Sequence, residues 1–531
     1  MMVLKTQLIA LGKKENKNIH EDNVGVDRIA SFLCDKGFPT RMTFMYTNET
    51  DEAFKKIDTT CNFFGITLHS ENLMFCIDLS KKIRQLLPHA WIFVGGIFAT
   101  YAAKEILNIC KDVDFVVMGH GDIPLFLLYQ EILSQNGNVE EAINKSKYIC
   151  SRNNYGIIEP CYSDVNQHLL PQREYLANSD KTVVCVIGSH GCYGNCSFCT
   201  VPEPGAKVTE RGAMDMFNEI EEIYKKYNVK FFYFLDSAIE GWGEKGKQRI
   251  SLFCDIINKS KIKLSFRAFI RAESFKNNKK DIMLLKKMKE AGFVNLIVGI
   301  EAGNDNDLQI YNKRCNLKDV KTCLSVFDSI NYNIFLGFII LNPYTTYEDL
   351  KANYYLLSNT KFSLLHNYIN CLQVNVNTPI YYQMKSDGLL LDTSIYSSGY
   401  DYICLDQNTQ HVFEFIKSNF LLSEILQRDF EFNNQLNHMQ YIINVLNDCT
   451  EYGDLICLIR SKINTLVADF FKYLFIDLNF VETRGRYQNF IDTIYNIYDE
   501  TASLHNKLLK KFLKANIRRE QYEHTNSCIN E

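Results

Sequence analysis

Strand-like apolar runs alternate with helix-period stretches twice over in this chain, across residues 1–140 and again, with a longer repeat, across 182–385. Such alternation is satisfied by parallel sheets covered by helices, because each parallel pair needs a crossover that a helix supplies. In the first stretch strands are expected at 6–11, 40–45, 62–67, 91–94 and 114–117, with helices at 26–34, 73–86 and 101–109. This predicts a Rossmann-like α/β domain over 1–140. In the second, strands are expected at 183–187, 230–235, 263–269, 294–300, 334–341 and 367–374, with helices at 213–227, 250–258, 281–291, 317–330 and 348–357. Six parallel units make a partial (β/α)6 barrel over 182–385, whose functional groups belong at the carboxyl ends of its strands. Thr345, three residues before Glu348, reads as a capping box for the last helix. Residues 141–181 are polar and broken by Pro160 and Pro171, which reads as a linker packed across both domains. From 386 to 531, helix-period patterns at 413–426, 437–446, 454–471 and 487–498 predict a mostly helical domain against the barrel's open side.

Directly after the run 183–187 comes Gly-Cys-Tyr-Gly-Asn-Cys-Ser-Phe-Cys-Thr, which places Cys192, Cys196 and Cys199 in a CxxxCxxC triplet. This spacing presents three thiolates to one iron–sulfur cluster and leaves a fourth iron without a protein ligand. Buried thiols and a zinc site are the alternatives from spacing alone, although structural zinc asks for four ligands and no second CxxC-like pair follows. Cys404, Cys449, Cys457 and Cys528 lack the spacing of an auxiliary cluster. Eighteen cysteines scattered through 531 residues do not form the dense framework of a small secreted domain, so a reducing, cytoplasmic setting is expected. The first ten residues lack signal-peptide features and no apolar run approaches the ~18 residues of a membrane span. A formal charge of −4 gives no broad electrostatic reason to expect nucleic acid as partner.

Glycines gather where the first domain's strands should end: Gly12, Gly95, Gly96, Gly119 and Gly121. Open parallel sheets bind ligands at those ends, where glycine lets backbone approach a large group; tight turns are the bland reading. Phe93-Val-Gly-Gly-Ile-Phe-Ala-Thr100 and Asp112-Val-Asp-Phe-Val-Val-Met-Gly-His-Gly-Asp122 resemble the cobalamin-binding domains found ahead of radical S-adenosylmethionine (SAM) domains. The resemblance implies cobalamin contacts at Gly12, Thr67, Ser70, Gly95, Gly96, Gly119 and Gly121. His120 and Asp122 replace acidic residues usual in that family. No Asp-x-His-x-x-Gly signature occurs, so the resemblance implies cobalamin without a histidine below the cobalt.

Residues from 182 to about 380 resemble a radical SAM domain. Beyond the cysteines, Phe198 holds the aromatic place expected near the adenine, and Phe234-Leu-Asp236-Ser237 ends the second strand where polar groups meet the amino group of SAM. Gly299-Ile-Glu301-Ala-Gly303 matches the fourth-strand segment, with Glu301 a ribose or methionine contact, and Gly337-Phe-Ile-Ile-Leu-Asn-Pro343 matches the fifth-strand element, with Asn342 where glycine is common. Asn377-Thr-Pro-Ile-Tyr381 resembles the turn closing the sixth unit. Arg267 and Arg271 are candidates to hold a carboxylate or phosphate, or to form plain ion pairs. Trp242 is a candidate stacking residue or a loop anchor.

The resemblance implies a [4Fe–4S] cluster that reductively cleaves SAM to a 5′-deoxyadenosyl radical, fed by a donor such as flavodoxin or ferredoxin. With cobalamin, it implies methylation of an unactivated carbon, or else phosphorus, of a small-molecule or peptide substrate. A cyclisation, rearrangement or oxidation on the same architecture is the alternative. A cluster-carrying binding or electron-transfer module is a third reading, disfavoured because electron transfer needs no nucleotide site.

Overall fold

The computed structural model describes residues 3–12, 23–155, 158–167, 170–171, 173, 176, 183–201, 207–395, 397–421, 423–446 and 449–527. Cys528 and most of 168–182 lie outside them. The first sheet comprises β1 (Thr6–Gly12), β2 (Thr40–Tyr46), β3 (Phe63–Thr67), β4 (Trp91–Gly95), β5 (Phe115–Val117) and β6 (Ile149–Ser151), in the order β2-β1-β3-β4-β5-β6. The five expected strands are all present and mutually parallel. The sixth, antiparallel to β5, falls inside the stretch read as a linker, and the helix Val139–Lys145 runs across that stretch's start. That stretch lacks long periodicity because it supplies only one short edge strand, three residues that β5 buries.

The second sheet comprises β7 (Val183–Val186), then β10 (Phe231–Phe234), β11 (Ser265–Arg271), β12 (Phe293–Glu301) and β13 (Ile334–Phe338), all parallel, in the order β13-β12-β11-β10-β7. A two-residue antiparallel pair, β8 (Ser189–His190) with β9 (Thr209–Glu210), lies between β7 and β10 in sequence. The sheet therefore has five strands where six were expected. Residues 367–374 begin inside a short helix, Leu365–Ile369, and continue as an extended strap. The reason is visible at the free edge of β13. Its outward carbonyls at Ile334, Leu336 and Phe338 accept side-chain N–H groups of Arg460 at 2.8 Å, Asn367 at 3.0 Å and Asn370 at 2.5 Å. With those acceptors satisfied, no sixth ladder is required.

The helix Tyr347–Ser358 is capped by Thr346 and Asp349, one residue beyond the expected Thr345 and Glu348. Thr345 is instead fully buried, donating to Asp307.

The carboxyl-terminal helices share one continuous core with the barrel. They meet it on two sides: the helix Thr450–Phe475 covers the free β13 edge, the barrel's open side, through Arg460 and through Ala468 O, which accepts from Tyr354. The helix Glu424–Val445 lies across the amino ends of β10, β11 and β12: His438 and Tyr441 pack on Phe231, Asn444 donates to Leu264 O at 2.8 Å, and Asn437 bonds Asn295. This plugs the end opposite the cysteine loop.

In that plug, His438 and His505 are buried, with Nδ1 and Nε2 2.7 Å apart, so one of the two nitrogens must donate. Burial depresses both, to about 3 for His438, where His505 adds to the effect, and about 4 for His505. Both are neutral when folded, while an unfolded chain takes up protons near the ordinary 6.5. Their contribution is thus complete above pH 6.5 and is lost as pH falls toward 4. Thermal melts at pH 7.5 and pH 5 should show a loss on the order of 2 kcal/mol for each histidine. Glutamine at both positions should flatten that fall; an unchanged profile would refute the assignment.

Candidate cofactor sites

β7 delivers the chain to the cysteine loop at the carboxyl end of the sheet, and Asp236, just past β10, fixes its path. Asp236 is fully buried and accepts from Gly188 N at 2.8 Å and Ser189 Oγ at 2.6 Å. Burial pushes its carboxyl up, opposed by Arg249 and these donors. The side chain expected to face SAM is therefore spent holding the loop, and half-buried Ser237 follows it. The loop is pinned on its other side by Ser197, which donates from N to Tyr311 O at 2.9 Å and from Oγ to Ile310 O at 2.7 Å. Phe198 stands edge-on to Tyr311 with ring centroids 5.3 Å apart.

Cys196 is buried; Cys192 and Cys199 are partly open. Gly194 N donates to Cys192 Sγ at 3.3 Å and Val201 N to Cys199 Sγ at 3.4 Å, while Arg271 Nη1 stands 4.0 Å from Cys196 Sγ. As free thiols, Cys196 is raised chiefly by burial and Cys199 is pushed up to about 11 by the same cause. Metal ligation reverses that cost by displacing the protons, and N–H donors and cations already face the sulfurs to receive the negative charge. The described residues contain no three His, Cys, Asp or Glu side chains grouped as ligands of a single ion. The three thiols lie within one another's electrostatic reach, as ligands of separate irons in one cluster would. The triplet fits a cluster.

Around the same opening, β12 and β13 bring Gly299 beside Gly337 in register, with a bulge before Glu301. Glu301 adopts φ +69°, a strained choice for a residue with a Cβ, of the kind that clusters at functional sites. It pairs with Lys313 Nζ at 3.1 Å, and that ammonium is 2 % exposed. Burial works against the Lys313 charge, but Glu301 and then Cys196 outweigh it and raise its pKa. Gly303 faces elsewhere: its N–H donates to Asn353 Oδ1 at 2.6 Å and a Cβ there would strike Leu356, so helix packing accounts for it. Asn342, the departure from the usual glycine, is fully buried and donates to Asp307 at 2.7 Å and Tyr311 Oη at 3.0 Å. Inside the barrel, Arg267 lies over the Tyr233 ring at 4.6 Å. Leu235 (41 %) and Phe269 (36 %) are exposed although they lie on central strands, or just past one, whose alternate residues are buried under helices. Exposure there means an open, apolar lumen. Trp242 stacks on Tyr193 and receives Arg314 over its ring, which makes it an anchor beside the cysteine loop.

On the first sheet, Gly12 has nothing within 4 Å of where a Cβ would lie and Gly95 has only distant contacts. Gly96 has φ +108° and lies over Leu68, beside Thr67. Among the described residues nothing fills the rim at the ends of β1 and β4, with β3 between them. At β5 it is closed: a Cβ on Gly119 would collide with Cys161, whose carbonyl accepts from His120 N at 2.7 Å, and Gly121 packs on Ile29. Turn geometry at Gly119 and packing at Gly121 account for these two glycines. Ser70 and Phe98 line a cavity closed from the other side by Asn375, Tyr381, Ser394 and Asp401.

The two rims meet. Tyr101, in the helix Ile97–Tyr101 after Gly96, donates from Oη to Thr200 O at 2.9 Å, one residue beyond Cys199. Asn377 Nδ2 donates to Tyr101 O at 2.5 Å, the His120 ring lies tilted against His190 with centroids 4.3 Å apart, and Arg28 reaches His190 at 2.9 Å. Neither Tyr101 nor Lys313 stood out in the sequence, since a single tyrosine or lysine carries no spacing signal.

The B12 binding domain family matches residues 19–127, and the Radical SAM superfamily matches 186–354. The chain carries a B12-binding domain and a radical SAM domain. Their order and separation are those of the two sheets. Among curated relatives, the anaerobic magnesium-protoporphyrin IX monomethyl ester cyclase of Synechocystis sp. is 25 % identical over 250 residues, 44 % of this chain and 46 % of that one. The hopanoid C-3 methylase of Methylococcus capsulatus is 24 % identical over 308 residues, 55 % of this chain and 56 % of that one. The matched regions thus span about half the length of these relatives. The structure of the cobalamin-dependent SAM radical enzyme OxsB with aqua-cobalamin and SAM bound superposes with TM-score 0.70 at 15 % identity, covering 97 % of this chain and 81 % of OxsB. The radical SAM match runs from the end of β7 through β13, and the B12-binding match covers β2 to β5. No helix among the described residues is long and apolar enough to cross a membrane.

Proposed function

We propose that this radical SAM enzyme methylates an unactivated carbon of a small-molecule or peptide substrate with the help of cobalamin. The observation that carries this reading is the apposition of the two rims at Tyr101 and Thr200, which brings an open B12-domain edge to the thiolate loop. A methyl donor and a radical source must share one substrate, and facing strand ends meet that demand. Bound together, the cofactors would supply a radical that takes hydrogen from the substrate and a methyl group that replaces it.

The residues of the chain do the positioning. Cys192, Cys196 and Cys199 would hold the cluster. Gly299, Gly337, Glu301 and Phe198 would border SAM, with Arg267 beneath. Gly12, Gly95, Gly96, Thr67 and Ser70 would border cobalamin. Leu235 and Phe269 give the substrate an apolar wall, and the plugged far end of the barrel confines its entry to the interface. A one-electron donor of the flavodoxin or ferredoxin class completes the requirements.

The magnesium-protoporphyrin cyclase relatives favour a second reading, ring closure or oxidation without methyl transfer. Anaerobically reconstituted enzyme supplied with cobalamin, SAM, reductant and candidate substrates separates the two. Equal amounts of S-adenosylhomocysteine and 5′-deoxyadenosine are expected for methylation. Deoxyadenosine without S-adenosylhomocysteine would move the assignment to the second reading, and failure to bind cobalamin at saturation would overturn the first.

A further inference from the structure

We propose that Arg271 and Lys313 are positioning residues whose buried charges hold the iron–sulfur cluster at a less negative potential than its thiolates would give alone. The proposal rests on Cys192, Cys196 and Cys199 being the cluster ligands. Arg271 ends β11, level in register with Gly299 of β12, which in turn pairs with Gly337 of β13. Two adjacent strands thus present no side chain in front of the guanidinium. Its Nε donates to Glu273 at 2.5 Å, Nη1 leans on Cys196 Sγ at 4.0 Å, and Nη2 is buried with no hydrogen-bond partner. The residue is 9 % exposed, so this donor is aimed at the thiolate loop without water to satisfy it.

The loop is shaped around that cation. A Cβ on Gly194 would lie 2.1 Å from Arg271 Nη1, so only glycine lets Cys192 and Cys196 flank the guanidinium this closely. Lys313 adds a second charge from the other side, packed over Gly299 and paired with Glu301. Reduction adds one negative charge to the cluster, and cations in a buried setting favour the state that carries it.

The test is a redox titration followed by electron paramagnetic resonance, on the full chain reconstituted anaerobically without SAM, beside iron and sulfide content. With dithionite as the reductant, R271Q and K313M should retain iron yet show an about tenfold lower ratio of reduced to oxidised cluster at the wild-type midpoint, a shift of 59 mV for one electron. R271K should stay close to wild type. K313M/E301Q, which leaves no unpaired buried carboxylate, should shift in the same direction by less, and it decides the matter for Lys313 if K313M does not fold. Wild-type potentials in iron-loaded R271Q and K313M would overturn the proposal, as would R271K falling as far as R271Q. A wild-type potential in R271Q together with weakened SAM binding would also overturn it, giving Arg271 to the SAM carboxylate. Absence of iron from the wild-type chain would instead refute the ligand assignment beneath it.

Discussion

Alanine at any one of Cys192, Cys196 or Cys199 should give a folded protein that takes up little iron and makes no 5′-deoxyadenosine above background. The effect is expected to be complete because each thiolate takes its own iron, so no neighbouring ligand compensates. Folding should survive, since Cys192 and Cys199 are only partly buried and the loop is held by Asp236 and Ser197 rather than by its sulfurs. Iron analysis and the visible absorption of the reconstituted variants, beside their circular dichroism, check both halves. A C196A protein with full iron and wild-type deoxyadenosine yield would remove the triplet from the site.

The second large effect is expected at Asp307, which touches no expected cofactor contact. Its carboxylate is 1 % exposed and accepts four side-chain donors: Asn304 at 2.7 Å and Asn353 at 2.9 Å on one oxygen, Asn342 at 2.7 Å and Thr345 at 2.8 Å on the other. Burial pushes its carboxyl pKa up, and Asn304, Asn353 and Thr345 pull it back. Asp307→Ala would strand four buried donors and cost about 3–5 kcal/mol. Asp307→Asn should cost a similar amount, because its amide turns a donor toward donors. In thermal melts the barrel transition should drop by roughly 10 °C. A drop of a degree or two would show that water replaces the carboxylate without penalty.

Much of this architecture was legible because long elements carry strong periodicity. The helices Leu73–Leu86 and Ala213–Tyr227 fall where their apolar spacing puts them, and ten of the eleven expected strands are present within a residue or two at most ends. The failures share a cause. Residues 367–374 are apolar enough for a strand, but Asn367 and Asn370 use their amides on the β13 edge, and a propensity pattern does not register a side chain acting as a backbone partner. The same blindness hides that Asp236 is engaged by Gly188 and the Gly303 N–H by Asn353. Gly119 reads as a ligand-facing glycine until the crossing strand of chain at Cys161 is seen, a contact 42 residues away. The cysteine triplet was plain because its chemistry is local in sequence. Lys313 was not, because its relation to Cys196 exists only in three dimensions.

The side-chain caps on β13 also bear on how the protein behaves in company. A parallel sheet that ends in bare carbonyls is a template for any passing strand, including that of another copy. Here Arg460, Asn367 and Asn370 occupy those acceptors at alternate residues, so these carbonyls are not offered to intermolecular pairing. An incomplete barrel is thereby kept resistant to self-association, and that burden falls on three side chains instead of a sixth strand.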